Sequence, residues 1–144
     1  MKYRLNTDDL NDDFFHNTRL LGIIAPIKNF QFCWLLNKAF FFQFRLNPDL
    51  EIQLRKKDRN YFFSIYEGRE TNDAVIHYLY HNHFQGEYLL PELKHIDFLW
   101  LLKGNNITND QCAWLLQAVK KINGVQLVVE LTNEQIKNKS NMIF

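Results

Sequence analysis

His77, His81 and His83 stand at even spacing in Ile76-His77-Tyr78-Leu79-Tyr80-His81-Asn82-His83. On one continuous strand, residues separated by even numbers share a face. Imidazoles on one face are ligands for zinc or iron, and His95 follows closely in sequence. The set reads as a candidate metal site, and on it a metal-dependent enzyme could be built. Against this, Asn82-His83 reads as the start of a turn, and histidine is also common as a half-exposed strand residue.

A second constellation lies in Leu89-Leu90-Pro91-Glu92-Leu93-Lys94-His95-Ile96-Asp97-Phe98-Leu99-Trp100-Leu101-Leu102. Pro91 fixes its own φ and lacks an N–H, which suits a turn or the start of an edge strand. Glu92 and Asp97 form a pair that could work as acid and base or as metal ligands. The same carboxylates could instead accept hydrogen bonds from backbone donors of a neighbouring loop, since an unpaired buried charge is very costly. No third catalytic partner is identifiable, which favours the structural role.

Leu90-Pro91-Glu92 and Ile96-Asp97-Phe98 resemble the Ile-Pro-Glu and Val-Asp-Tyr of the IPExxVDY family of uncharacterised small Bacteroidota proteins. Three residues separate the two halves where that motif has two. Phe32-Cys33-Trp34-Leu35-Leu36-Asn37 is similar to the family's early helix, and the Asn141-Met142-Ile143-Phe144 ending is similar too. The resemblance spans essentially the whole chain. It implies a bacterial domain of unknown function and brings no catalytic or binding residues with it.

Other charged clusters carry weaker chemistry. Asp8, Asp9, Asp12 and Asp13 have something of a calcium loop, but no glycine turn and no terminal bidentate glutamate follow them, so a solvated acidic loop is expected. Arg55, Lys56, Lys57 and Arg59 surround a hairpin tip, with Tyr61, Phe63, Tyr78 and Tyr80 on adjacent strands. Aromatic rings beside basic loops can stack on unpaired bases. Asp49, Glu51 and Asp58 dilute that charge, and the net charge of +1 shows no basic excess, so nucleic-acid binding is the weaker alternative. The 5 glycines are scattered singly, which leaves no phosphate loop, and no Gly-x-Ser-x-Gly elbow occurs. Cys33 and Cys112 lie within apolar helical patterns and read as buried reduced thiols.

The elements that must position these groups follow from periodicity. A short strand is expected at 2–6, and Leu20-Leu21-Gly22-Ile23-Ile24-Ala25 reads as a buried strand closed by Pro26. Asn29 is positioned to cap a helix running to about Phe42. Phe32, Leu35, Leu36, Ala39 and Phe40 make its core stripe, and Phe30, Cys33 and Trp34 widen the stripe enough to predict cover on more than one side. Asn47-Pro48-Asp49 reads as a turn. Strands at 50–56 and 61–67 are joined by the hairpin loop Lys57-Asp58-Arg59-Asn60. A polar loop over 67–73 leads to a strand at 74–82, and a strong buried strand covers 96–103. Thr108 or Asn109 caps a helix whose Cys112, Leu115, Leu116, Val119 and Ile122 repeat every three or four residues, and Asn123-Gly124 ends it. Residues 125–131 read as a strand, and Thr132 with Gln135 has capping-box spacing for a last short helix.

Helices bracketing hairpins predict one α+β domain over residues 1–144. Its sheet is expected to be antiparallel or mixed, of five to six strands, with two main helices on one face. The strand-helix-strand stretch 96–131 could form a crossover unit. A length of 144 residues suits one domain, and hydrophobic residues at 47% suit a globular one. No signal-peptide core or bilayer-length apolar run is evident, so a cytoplasmic protein is expected. The 13 Phe, 6 Tyr and 3 Trp are more than one small two-layer core readily hides. An exposed apolar patch is therefore expected. That patch makes a non-enzymatic interaction module, as a homodimer or with a protein partner and with no cofactor, the leading functional expectation.

Overall fold

The computed structural model describes residues 12–40, 42–69 and 74–144. The strand expected at 2–6, Asp8 and Asp9, and residues 70–73 of the polar loop lie outside the described residues. Asp12 and Asp13 are exposed on a helical turn over 12–15 rather than in a loop.

Six strands form one antiparallel sheet: β1 (Thr18–Ile24), β2 (Arg45–Lys56), β3 (Arg59–Gly68), β4 (Ile76–His81), β7 (Phe98–Lys103) and β8 (Leu127–Glu130). A small separate hairpin is built from β5 (His83–Phe84) and β6 (Glu87–Tyr88). The order across the large sheet is β2-β3-β4-β7-β1-β8. The helices are α1 (Asn29–Ala39) and α2 (Asn109–Lys120). The fold is α+β, as the alternation of hairpins and helices predicts.

β7 and β8 are not neighbours. β1 lies between them, antiparallel to both, so the unit over 96–131 crosses over an intervening strand. Nothing local in the sequence announces the insertion, because β1 is contributed from far upstream.

β7 sits at the middle of the sheet and is buried on both sides, which is why its sequence is a continuous apolar run. Phe98, Trp100 and Leu102 point to one core, and Leu99 and Leu101 point to another. The first core holds both helices through Phe32, Cys33 and Leu36 of α1 and Cys112, Leu115 and Val119 of α2. The second holds Tyr61, Phe63, Tyr78 and Tyr80 beneath the chain's later residues, including Ile136 and Met142. Two cores, rather than one, account for most of the aromatic supply.

Several boundaries move for identifiable reasons. Asn47-Pro48-Asp49 is not a free turn: it makes an irregularity between Leu46 and Glu51 within β2. β2 lies at the sheet edge, where a residue without an N–H is tolerated. The hairpin loop is only Lys57-Asp58, both at positive φ (51° and 60°), and Lys56 pairs with Arg59. That is the mirror-image turn whose twist matches the flanking strands. α1 ends at Ala39, and Asn29 is not its N-cap but accepts from the Phe30 N–H. Among the described residues nothing gives α1 the double cover expected of it, and Phe30 and Trp34 are 64% and 59% exposed.

α2 follows its sequence closely. Thr108 Oγ1 accepts from the Gln111 N–H, and Gln111 Oε1 accepts from the Thr108 N–H, which completes a capping box. Gly124 beyond the helix has φ of 97°, and a Cβ there would lie 2.7 Å from Ile27. The last expected helix is a single 3₁₀ turn over Asn133–Gln135. Among the described residues, no helix is long and apolar enough to cross a membrane.

Candidate functional site

The three even-spaced histidines are separated by the strand that carries them. His77 and His81 share the helix-facing side of β4, but four residues of strand span roughly 13 Å, too far for one ion. His77 is buried, and its Nδ1 accepts the Trp100 indole N–H at 2.8 Å. His81 stacks on Phe98 at 4.9 Å, and burial and then the neighbouring His83 lower its pKa. His83 is exposed and accepts the Gly86 N–H through Nε2. His95 is exposed on the loop before β7. Among the described residues, no three of His, Cys, Asp and Glu come together as a set able to hold a metal ion.

The Leu90–Phe98 segment is a knot of backbone ties. Leu90, Leu93 and Ile96 are buried, and Pro91–Leu93 makes a 3₁₀ turn. Glu92 Oε2 accepts the Lys137 and Asn138 N–H groups at 2.6 Å each, and Oε1 accepts Asn138 Nδ2 at 3.0 Å. Desolvation pushes its pKa up, but those donors outweigh it and the net shift is downward. Asp97 Oδ2 accepts the Ala25 N–H at 2.8 Å where β1 ends. Both carboxylates point at donors in different loops, and each is spoken for.

Asn82 is the residue at the centre of this knot. It is fully buried. Its Nδ2 donates to the Leu93 and Ile96 carbonyls, and its Oδ1 accepts the Leu90 N–H. Sequence reading takes it as the start of a turn. An asparagine at the end of a strand rich in Ile, Leu and Tyr, followed by a loop rich in leucine, is the signal that could have found it.

The four aromatics expected to flank the basic hairpin are not available to stack on bases. Tyr61, Phe63, Tyr78 and Tyr80 are all buried in the second core. Lys56 is paired with Glu87 at 3.4 Å, and Arg55 lies 3.9 Å from Asp58. Neither cysteine is placed for catalysis: both are free and buried, and burial raises the Cys33 thiol to about 12.

The most exposed aromatic rings among the described residues lie elsewhere, on the outside of the helix layer. Phe30 and Trp34 project from α1, and Trp114 (59% exposed) projects from α2. Trp114 breaks the polar side of α2, off the Cys112–Val119 stripe, and that misplaced ring is the sequence signal for it. Two concavities meet at this ring. One is a groove between the helices, lined by Leu35, Ala39, Phe40, Ala118 and Ile122, with Lys38 and Lys121 on it. The other is a pocket of about 430 Å³ at the start of α2, walled by Phe42, Val75, His77, Leu102, Ile107, Leu115 and Trp114. Asn37 holds the chain after α1 in place, donating to the Phe44 carbonyl and accepting its N–H, and so fixes the linker that carries Phe42. Searches of known protein families and of curated proteins return no match for this chain.

Proposed function

We propose that the protein is a non-enzymatic interaction module that receives an apolar, acidic-flanked helix or peptide in the groove between α1 and α2. The observation that carries this reading is the groove itself. Its wall is Leu35, Ala39, Phe40, Trp114, Ala118 and Ile122, and its charged lining residues are Lys38 and Lys121. An amphipathic segment lays its apolar face into such a channel, and flanking carboxylates would meet the lysines. Trp114 is of the ring type that most often dominates binding energy. Two copies joined groove to groove would bring lysine towards lysine, which favours a different chain over a homodimer. The likeness of residues 90–98 to the IPExxVDY motif is a proposed kinship that adds no activity.

The test pairs native mass spectrometry with affinity capture. Wild-type protein and the double charge reversal Lys38→Glu/Lys121→Glu are compared, with Trp114→Ala as a second variant. A monomer that retains a defined protein, lost in both variants while folding is unchanged, supports the reading. Retention of the same proteins by all three forms overturns it, as does a stable dimer that both variants leave intact.

A further inference from the structure

The pocket at the start of α2 is a site of another kind, sharing Trp114 with the groove but no other lining residue. Its volume of about 430 Å³ lies in the range of small-molecule sites. Its walls are aromatic and aliphatic: Phe42, Trp114 and the His77 ring, with Val75, Leu102, Ile107 and Leu115. Phe42 is buried and packed 4.5 Å from His77 and 5.3 Å from Trp100 between ring centroids. The one carboxylate among the lining residues is Asp110 in the first turn of α2, exposed, with Gln111 beside it. None of the named lining residues is a lysine or arginine. Lys103, on neighbouring β7, instead sits over Phe14 on the far side of the sheet.

Aromatic faces attract cations through their ring quadrupoles, at exposed sites as well as buried ones. A carboxylate beside such rings adds a charge partner, and an apolar wall holds a hydrocarbon body. We infer that this pocket binds a small organic ammonium ion carrying an apolar ring or chain. In that arrangement the apolar part lies against Val75, Leu102, Ile107 and Leu115. The ammonium group meets Asp110 and the face of Trp114.

Three probes of matched size separate the possibilities: 2-phenylethylammonium, neutral 2-phenylethanol and anionic 3-phenylpropionate. Each is titrated into the full chain at neutral pH and low salt while the indole N–H signals of the tryptophans are followed by NMR. The expected result is a saturable shift of Trp114, with the ammonium binding about tenfold more tightly than the alcohol and the carboxylate weakest. Asp110→Asn should reduce that preference severalfold, leaving only what the ring of Trp114 supplies, while 2-phenylethanol binding stays as it was. Trp114→Ala, followed through the indole of Trp100 that is bonded to His77 of the pocket wall, should weaken all binding, and Trp34→Ala should change nothing. Equal affinity for the three probes overturns the inference. So does a preference that Asp110→Asn leaves undiminished, or the absence of any saturable shift in a folded protein.

Discussion

Across β4 and β7, the indole N–H of Trp100 donates to Nδ1 of His77 at 2.8 Å, and both residues are buried. An indole can only donate, so Nδ1 must be the unprotonated nitrogen of that ring. The register pairs His77 with Leu102 and Leu79 with Trp100, so the bond runs diagonally along one face of the sheet. Phe42 packs on both rings. The bond therefore fixes the floor of the pocket proposed to take an ammonium ion.

Breaking this pair should be measurable by denaturant unfolding. Trp100→Phe removes the donor and leaves a small void, and a loss of about 2–4 kcal/mol is expected. His77→Phe strands the indole N–H but fills the space, and about 1–2 kcal/mol is expected. The double substitution should cost clearly less than the two single losses added together, because neither partner is then left orphaned. Strict additivity would show that the bond contributes nothing.

Asn82 should be intolerant of substitution although it touches no solvent. Asn82→Leu leaves the Leu90 N–H and the Leu93 and Ile96 carbonyls without their side-chain partner, at a cost of about 3 kcal/mol or more. Asn82→Asp should be no better, since it sets an acceptor against two carbonyls that need a donor. Thermal unfolding of the two variants checks this, and a near-wild-type midpoint in either would contradict the role assigned to Asn82.

Glu92 should give stability an acid-side dependence. Its folded pKa lies below the usual carboxylate value. Its contribution is therefore complete above about pH 4.5, the value expected when unfolded, and fades as pH falls through the lower folded value. Glu92→Gln should cost about 1 kcal/mol at pH 7, a figure reduced for its partial exposure. The gap between variant and wild type should close as the pH is lowered. Unfolding midpoints measured from pH 7 to pH 2.5 provide the check, and a gap that stays constant would exclude this carboxylate as the source.

The β2–β3 turn can be improved. Lys57 and Asp58 both hold positive φ, a conformation that favours Asn and Gly. Lys57→Asn with Asp58→Gly should stabilise the chain by about 0.5–1 kcal/mol. The substitution also removes the Arg55–Asp58 ion pair, but at 3.9 Å and with Asp58 fully exposed that pair is too weak to offset the gain. Chemical denaturation decides it, and a lower midpoint would contradict the positive-φ geometry of this turn.

What can be read from the sequence is whatever is encoded locally. The Cys112–Ile122 periodicity, the Thr108/Gln111 spacing and the apolar run before Lys103 each specify an element within a few turns of chain. The histidine spacing correctly implies that His77 and His81 share a face, but period alone carries no distance, and the strand's rise keeps them apart. The acceptor roles of Glu92 and Asp97 stay open in the sequence because their donors, at Asn138 and Ala25, belong to remote loops. Trp34 reads as core because it continues an apolar stripe, and only the fold shows it on the outer face of α1, with the Lys38 ammonium over its ring. The pocket is invisible for the same reason: Phe42, His77, Leu102 and Asp110 come from four separate stretches.

The insertion of β1 between β7 and β8 also has a kinetic cost. Leu21 is paired with Trp100 on one side and with Glu130 on the other. Both edges of an early, strongly apolar strand stay unmatched until much later residues leave the ribosome. Such distant pairings close slowly, and an unmatched edge invites pairing with another chain. During synthesis, residues 20–24 are therefore a segment that needs protection, and aggregation on overexpression should involve it.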